Sequence, residues 1–237
     1  VQCDDWAKLR DDGFIAIDRH LDNEAVRGLL ASFETIGTDD TGTESVRLRR
    51  GAVFAMRNLL SVPFVQKFIA TDGVRSPIDR IAPGSVAVRA MLFDKTGDAN
   101  WTVPWHQDRS IAVRQRIDVV GFGPWSTKAG VVHVQPPLQI LREMVTLRFS
   151  LDSCDAHNGP LRTIAGTHRT ILDKSMVDEA VKRGPQSLCT TAAGGMVIIR
   201  PLVLHASSPA VETEHRRVLH IEFGPPNLPG GLDWAKV

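Results

Sequence analysis

The sequence predicts a mainly β protein with flanking helices, a β-sandwich or open barrel carrying a helical flank. Three observations carry this. The first third of the chain shows helical periodicity, the period changes to two from Ser85 onward, and short apolar runs there are separated by turns rich in Gly, Pro, Asn and Asp. Helices first and many strands afterwards is the order expected of a sheet-based core with a helical flank.

Residues 4–11 read as a short polar helix broken at Gly13, and Phe14-Ile15-Ala16-Ile17 as a brief strand. Asp22 is placed to cap a helix running through about Phe33, with Ala25, Val26, Leu29, Leu30 and Phe33 on one face. Residues 37–44, rich in Thr, Asp and Gly, read as a loop, and two short helices follow at 63–70 and 72–81. Val86-Ala87-Val88-Arg89-Ala90-Met91-Leu92-Phe93 is strand-like, with alternate residues on opposite faces. Similar runs occupy 145–151, 161–165, 187–192, 196–200 and 216–223. The segment from about 111 to 137, with four prolines or glycines already between 121 and 130, reads as an irregular insert of the kind that forms a lid or binding loop. With 237 residues the chain is expected to form one domain over 1–237, residues 1–84 being mostly helical flank and 85–223 the β core.

Composition narrows the function. Lys and Arg number 28 against 27 Asp and Glu, a formal +1, so no basic field points to nucleic acid and no basic tract to a membrane surface. No apolar run approaches the ~18 residues of a membrane span, and the N-terminal residues lack the basic and apolar regions of a secretory signal. Cys3, Cys154 and Cys189 form neither a disulfide framework nor a CxxC pair, which fits a reducing cytoplasm. Oligomeric state leaves no trace in the sequence.

The sharpest local feature is Trp105-His106-Gln107-Asp108. On a strand, His106 and Asp108 face one side, so an imidazole and a carboxylate can reach one ion, with His205 as third ligand. Two imidazoles and a carboxylate on one face of an octahedron leave three positions open, the arrangement that lets iron(II) take a bidentate keto acid and oxygen. An HxD triplet alone also arises by chance, and either residue could be a satisfied structural polar group. Arg216 adds weight, because an arginine opening the next strand can grip the far carboxylate of 2-oxoglutarate as a planar fork, and Ser207 can donate to the same group. The bland alternative for Arg216 is a surface ion pair with Glu212 or Glu214, worth about 0–1 kcal/mol.

These residues, together with Asp12-Gly13-Phe14, Met91-Leu92-Phe93-Asp94-Lys95, Asn158-Gly159-Pro160-Leu161, Ala165-Gly166-Thr167-His168-Arg169 and His205-Ala206-Ser207, stand in the order in which they occur in a known family. The chain resembles the phytanoyl-CoA dioxygenase family of iron(II)/2-oxoglutarate-dependent oxygenases. The resemblance implies a double-stranded β-helix, a cupin-like jelly-roll with the metal at its mouth. It implies Fe(II) on His106, Asp108 and His205, 2-oxoglutarate anchored by Arg216 and Ser207, and O2 as second co-substrate. Met91 falls where a family member contacts the co-substrate. Arg148 stands where a relative has a pocket tryptophan, which leaves it as a second co-substrate clamp, a substrate contact or a structural pair. Asn158 and His168 look like fold signatures. Halogenating members lack the carboxylate ligand, so Asp108 argues for hydroxylation or another oxidation, releasing succinate and CO2.

For the small-molecule substrate, Arg57, Trp125 and Lys128 are the candidate contacts, Trp125 as a cover on the insert or as its anchor to the body. Arg47, Arg49 and Arg50 cluster with Arg57, and at least two of the four are expected on a solvated face. The absence of a basic stripe favours a small or medium organic acid or natural-product intermediate over a long acyl-CoA. Two rivals remain: a non-catalytic metal-binding jelly-roll, and a cupin-like enzyme that uses no keto acid. Neither gives Arg216 a duty.

Overall fold

The structure, a computed structural model, describes residues 3–36, 46–49, 52–211 and 215–237. The loop expected over residues 37–44, Arg50, Glu212 and Glu214 lie outside the described residues, as do the side chains of Arg47 and Arg49.

The N-terminal elements follow their local signals. Helix α1 (Cys3–Asp12) ends at Gly13, which has a φ of +89° and packs so closely on the His168 ring that a Cβ would collide with it. Strand β1 (Phe14–Ile17) leads to helix α2 (Asn23–Ile36), where the Asp22 carboxylate accepts the Ala25 N–H at 2.8 Å as an N-cap. Val26, Leu29 and Phe33 form its buried stripe. Strands β2 (Val46–Arg49) and β3 (Ala52–Met56) then pair as a hairpin within the stretch read as mostly helical. Helix α3 (Pro63–Ile69), with Pro63 in its first turn, and helix α4 (Asp72–Ile81) complete the flank.

The rest is β-rich. Strand β4 (Val86–Lys95) is followed by β5 (Val103–His106), β6 (Ile111–Val113), β7 (Trp125–Lys128) and β8 (Val131–Val134). The short helix α5 (Leu138–Glu143) leads to β9 (Val145–Ser150) and β10 (Leu161–Ile164). Helix α6 (Lys174–Arg183) precedes β11 (Gln186–Cys189), β12 (Met196–Ile199), β13 (Leu204–Ser207) and β14 (Arg216–Gly224). All pairings are antiparallel: a seven-stranded sheet ordered β1-β12-β9-β14-β4-β3-β2, a four-stranded sheet β11-β10-β13-β5, and a three-stranded sheet β6-β8-β7.

Two sequence expectations need correction. The large sheet takes β1, β3 and β2 from the first 84 residues, so the sheet does not begin at Ser85. The insert around 111–137 is not irregular throughout but contains the three-stranded sheet, with glycines and prolines in its turns.

Alternation along the strands of the large sheet sorts its two faces. Leu147, Phe149, Leu219, Ile221, Phe223, Ala90 and Leu92 pack against Val26, Phe33, Val65, Phe68, Val74 and Ile78 of the helices in the main core. Fully burying each large apolar side chain contributes ~1.5–3 kcal/mol, so this face anchors the sheet. The opposite face meets the four-stranded sheet through Phe14, Val197 and Ile199 against Leu161, Cys189 and Val203. On that same inner face, at one end, the strands present polar residues instead. No helix among the described residues is long and apolar enough to cross a membrane.

Candidate metal centre

His106 ends β5 and His205 lies on β13, and the two are direct partners across the ladder. Asp108 follows just past the end of β5, where its N–H donates to the Pro201 carbonyl at 2.8 Å. Donor atoms of His106, Asp108 and His205 all lie within 4.8 Å of one another. The His106 Nε2 is 3.4 Å from Asp108 Oδ1, and the His205 Nε2 is 3.6 Å from Asp108 Oδ2.

Both rings are held the same way. His106 Nδ1 is 2.8 Å from the Pro104 carbonyl, and His205 Nδ1 is 2.8 Å from the Val203 carbonyl. A carbonyl only accepts, so each Nδ1 carries a proton and each Nε2, the atom facing Asp108, is the one left to ligate. Such hydrogen bonds to the far nitrogen are how proteins orient imidazole ligands for a metal. Burial pushes the His205 pKa down to about 4, keeping the ring neutral and able to ligate. Burial would also lower His106, but the hydrogen bond and charge of Asp108 outweigh it and raise it. For Asp108, burial is overcome by His205 and His106, which hold the carboxyl well below the usual range.

Gln107, between the two candidate ligands His106 and Asp108, is buried and spans the gap to two loops. Its Nε2 donates to the Leu202 carbonyl at 2.7 Å and the Thr170 carbonyl at 2.9 Å, and its Oε1 accepts the Leu172 N–H at 2.8 Å. It thereby ties the ligand segment to the chain leading into β13.

The three residues open onto a cavity of about 230 Å³ between the large and four-stranded sheets. Arg57, Met91, Arg148, Ser207 and Arg216 line it as well, so seven of the expected site residues join Arg57 in one place. Trp125 and Lys128 do not line it. Trp125 packs with the apolar cluster around the three-stranded sheet, 5.4 Å below the Arg116 guanidinium. Lys128 donates to Ser110 Oγ and borders a small adjoining cavity that it shares with Arg57 and Arg89. Asn158 and His168 stay outside the lining; Asn158 Nδ2 donates to the Ser153 carbonyl and His168 bonds the Arg10 carbonyl.

Arg216 is 3% exposed and its Nε is buried without a hydrogen-bond partner. Its backbone N–H is held by Asp94, but its guanidinium makes no ion pair among the described residues. Glu212 and Glu214, the surface partners considered for it, lie outside the described residues, and its burial does not suit a solvated surface pair. Burial lowers its pKa, and the same burial, with Arg216 nearby, lowers Arg148 to about 10. An unpaired buried guanidinium is costly unless an anion meets it.

Arg148 is engaged on one side. Its Nη1 donates to His220 Nδ1 at 2.8 Å, which leaves His220 Nε2 to donate to Glu222 Oε1 at 3.2 Å, and Arg89 lies 3.4 Å from the same oxygen. Burial and Arg148 keep His220 neutral, its pKa below the usual value. Arg89, His220 and Glu222 were missed as site residues, yet parity would have found them. Once Met91 and Arg216 face the cavity, every second residue of β4 and β14 must do so.

The family model for phytanoyl-CoA dioxygenase (PhyH) matches residues 9–218. Among solved structures, AviO1 from Streptomyces viridochromogenes Tue57 is 21% identical with a TM-score of 0.71, covering 97% of each chain. EctD from S. alaskensis, solved with 2-oxoglutarate and 5-hydroxyectoine, is 15% identical with a TM-score of 0.75, over 95% of this chain and 76% of that one. The epimerase SnoN, in complex with Fe3+, alpha ketoglutarate and nogalamycin RO, is 17% identical with a TM-score of 0.66, over 96% and 90%. At these identities the likeness establishes the fold, the cupin-like jelly-roll expected from the sequence. A comparison with curated proteins gives no match. With nearly the whole chain matched in sequence, and the fold shared with 2-oxoglutarate-binding proteins, the chain belongs to the phytanoyl-CoA dioxygenase family.

Proposed function

We propose that the chain is a mononuclear non-haem iron(II) oxygenase using 2-oxoglutarate and O2, with iron on His106, Asp108 and His205 and the distal carboxylate of 2-oxoglutarate on Arg216 and Ser207. One observation carries the reading: a three-donor cluster and a buried guanidinium with no ion pair among the described residues share one cavity. The donor set fits the metal, since two imidazoles and one carboxylate suit iron(II) and leave coordination positions free. Nothing in the geometry gives Arg216 a duty in a metal-binding protein without activity or in an enzyme without a keto acid.

When bound, iron and its keto-acid co-substrate supply the oxidant that cleaves an unactivated C–H bond, with release of succinate and CO2. The protein's part is orientation and exclusion of water. The Pro104 and Val203 carbonyls fix the ligand rings, Gln107 and Pro201 hold the segment carrying Asp108, and the buried Arg216 sets the co-substrate's direction. Met91 and Leu161 wall the cavity, and Arg148, braced by His220, adds a second cation. None of the three ligands acts as a general acid or base.

The substrate on this reading is a small or medium organic acid or natural-product intermediate, hydroxylated beside the metal. Arg57 and Arg89 supply positive charge where the main and adjoining cavities meet, and Phe93, Trp101 and Val103 supply apolar wall. The test is a turnover screen of organic acids with mass-spectrometric detection of a product one oxygen heavier, with chirality read alongside, because SnoN is an epimerase on the same fold. Turnover of acyl-CoA esters but not of their free acids would overturn the preference for small acids.

A further inference from the structure

Lys95 ends β4 with no exposed surface at all. Its ammonium donates to Ser207 Oγ at 3.0 Å and to the Ser208 carbonyl at 2.5 Å, with the Trp101 ring centroid 5.3 Å away. Gly159, at a φ of +70°, closes over it: a Cβ there would lie 3.2 Å from Nζ and would collide with the Ser208 carbonyl. Arg216 is its direct partner across the β4–β14 ladder. No carboxylate among the described residues pairs with Lys95. Burying a cation without a counter-ion is unfavourable, and an apolar side chain would fill the space at less cost. The arrangement makes sense if an anion arrives nearby.

The direction of the hydrogen bond says what Lys95 does. An ammonium only donates, so Ser207 Oγ must accept from it and its own proton must go elsewhere. Ser207 and Arg216 both line the cavity. We propose that Lys95 is a positioning residue for the co-substrate's distal carboxylate: it holds Ser207 as a donor toward the cavity and adds a further cation beside Arg216, so that the site selects a keto diacid over a keto monoacid. The proposal rests on the 2-oxoglutarate reading above. Burial, then Arg216, push the Lys95 ammonium down to about 7, with Arg148 acting in the same sense and Cys154 against it. An incoming carboxylate opposes that shift, which is how a ligand anion couples to the charge.

The experiment titrates the Mn(II)-loaded full chain calorimetrically with 2-oxoglutarate and with 2-oxovalerate, which has the same carbon chain without the distal carboxylate. Lys95→Met is expected to bind 2-oxoglutarate about tenfold more weakly, the scale of a hydrogen bond to a charged group. Its affinities for Mn(II) and 2-oxovalerate should stay those of the wild type. An affinity for 2-oxoglutarate within about twofold of wild type, or parallel weakening of both keto acids, overturns the proposal. Should the methionine variant not fold, Lys95→Gln, which keeps a donor but removes the charge, is expected to weaken 2-oxoglutarate in the same selective way, and no weakening overturns the proposal. Failure of the wild type itself to bind 2-oxoglutarate would instead strike the underlying co-substrate reading.

Discussion

His205 stands directly opposite His106 in the β13–β5 ladder, with ring centroids 4.2 Å apart and planes tilted by 53°. The backbone register of two strands therefore sets the separation of two candidate ligands, and each ring is steered by the carbonyl two residues before it. Asp108 reaches the pair from the loop that Gln107 and Pro201 hold.

This division of labour predicts that His205→Ala and Asp108→Ala cut metal affinity by more than the ~10–100-fold typical of losing an outer-shell partner. Folding should survive, because the register and the Gln107 clamp remain. Mn(II) titration followed by electron paramagnetic resonance checks both, with thermal melting as the control for folding.

Gln107→Leu should behave differently. It strands the Leu202 and Thr170 carbonyls and the Leu172 N–H in a buried place, at a cost of about 2–4 kcal/mol of stability. Denaturant unfolding measures this, and the metal should bind more weakly as the loop carrying Asp108 loosens.

Arg216→Ala should weaken 2-oxoglutarate by about thirtyfold or more, corresponding to ~2 kcal/mol for a buried charged partner. Metal affinity should be unchanged, since the guanidinium touches none of the three ligands. Initial rates of succinate formation against 2-oxoglutarate concentration would show the effect as a raised KM.

Lys95 gives a pH dependence with a defined sign. Its folded pKa, lowered from 10.5 to about 7, means that between those values the unfolded chain holds a proton that the ligand-free folded chain has lost. Stability therefore rises with pH across that window. The buried thiol of Cys189, raised to about 11, works the other way at alkaline pH, so the difference between wild type and Lys95→Met is the quantity to measure. Melting of ligand-free protein between pH 7 and 9 should show wild type gaining on the variant as pH rises; a constant difference would contradict the assignment of a depressed ammonium.

Much of this was legible in the residues. The alternation in β4, β9, β12 and β14, the break at Gly13 and the cap at Asp22 all correspond to elements of the fold. Val46-Arg47-Leu48-Arg49 also alternates, but lying between a polar stretch and Gly51 it was too short to distinguish from loop. The three-stranded sheet was hidden because its strands are only three or four residues long and sit among turn-forming residues. Trp125 turned out to pack against that sheet's own apolar cluster, a tertiary contact that no local pattern encodes. Lys95, within Asp94-Lys95-Thr96-Gly97, reads as the polar end of a strand, and only the closure of Gly159 over it reveals its burial.

A metal site and an anion site sharing one cavity are tested most directly by anaerobic absorption spectroscopy. Adding 2-oxoglutarate to the Fe(II) protein should produce the visible charge-transfer band of a chelated keto acid. The band should be absent in Asp108→Ala and should require far more 2-oxoglutarate in Arg216→Ala. A wild-type protein that binds Fe(II) yet shows no band at saturating 2-oxoglutarate would contradict the account.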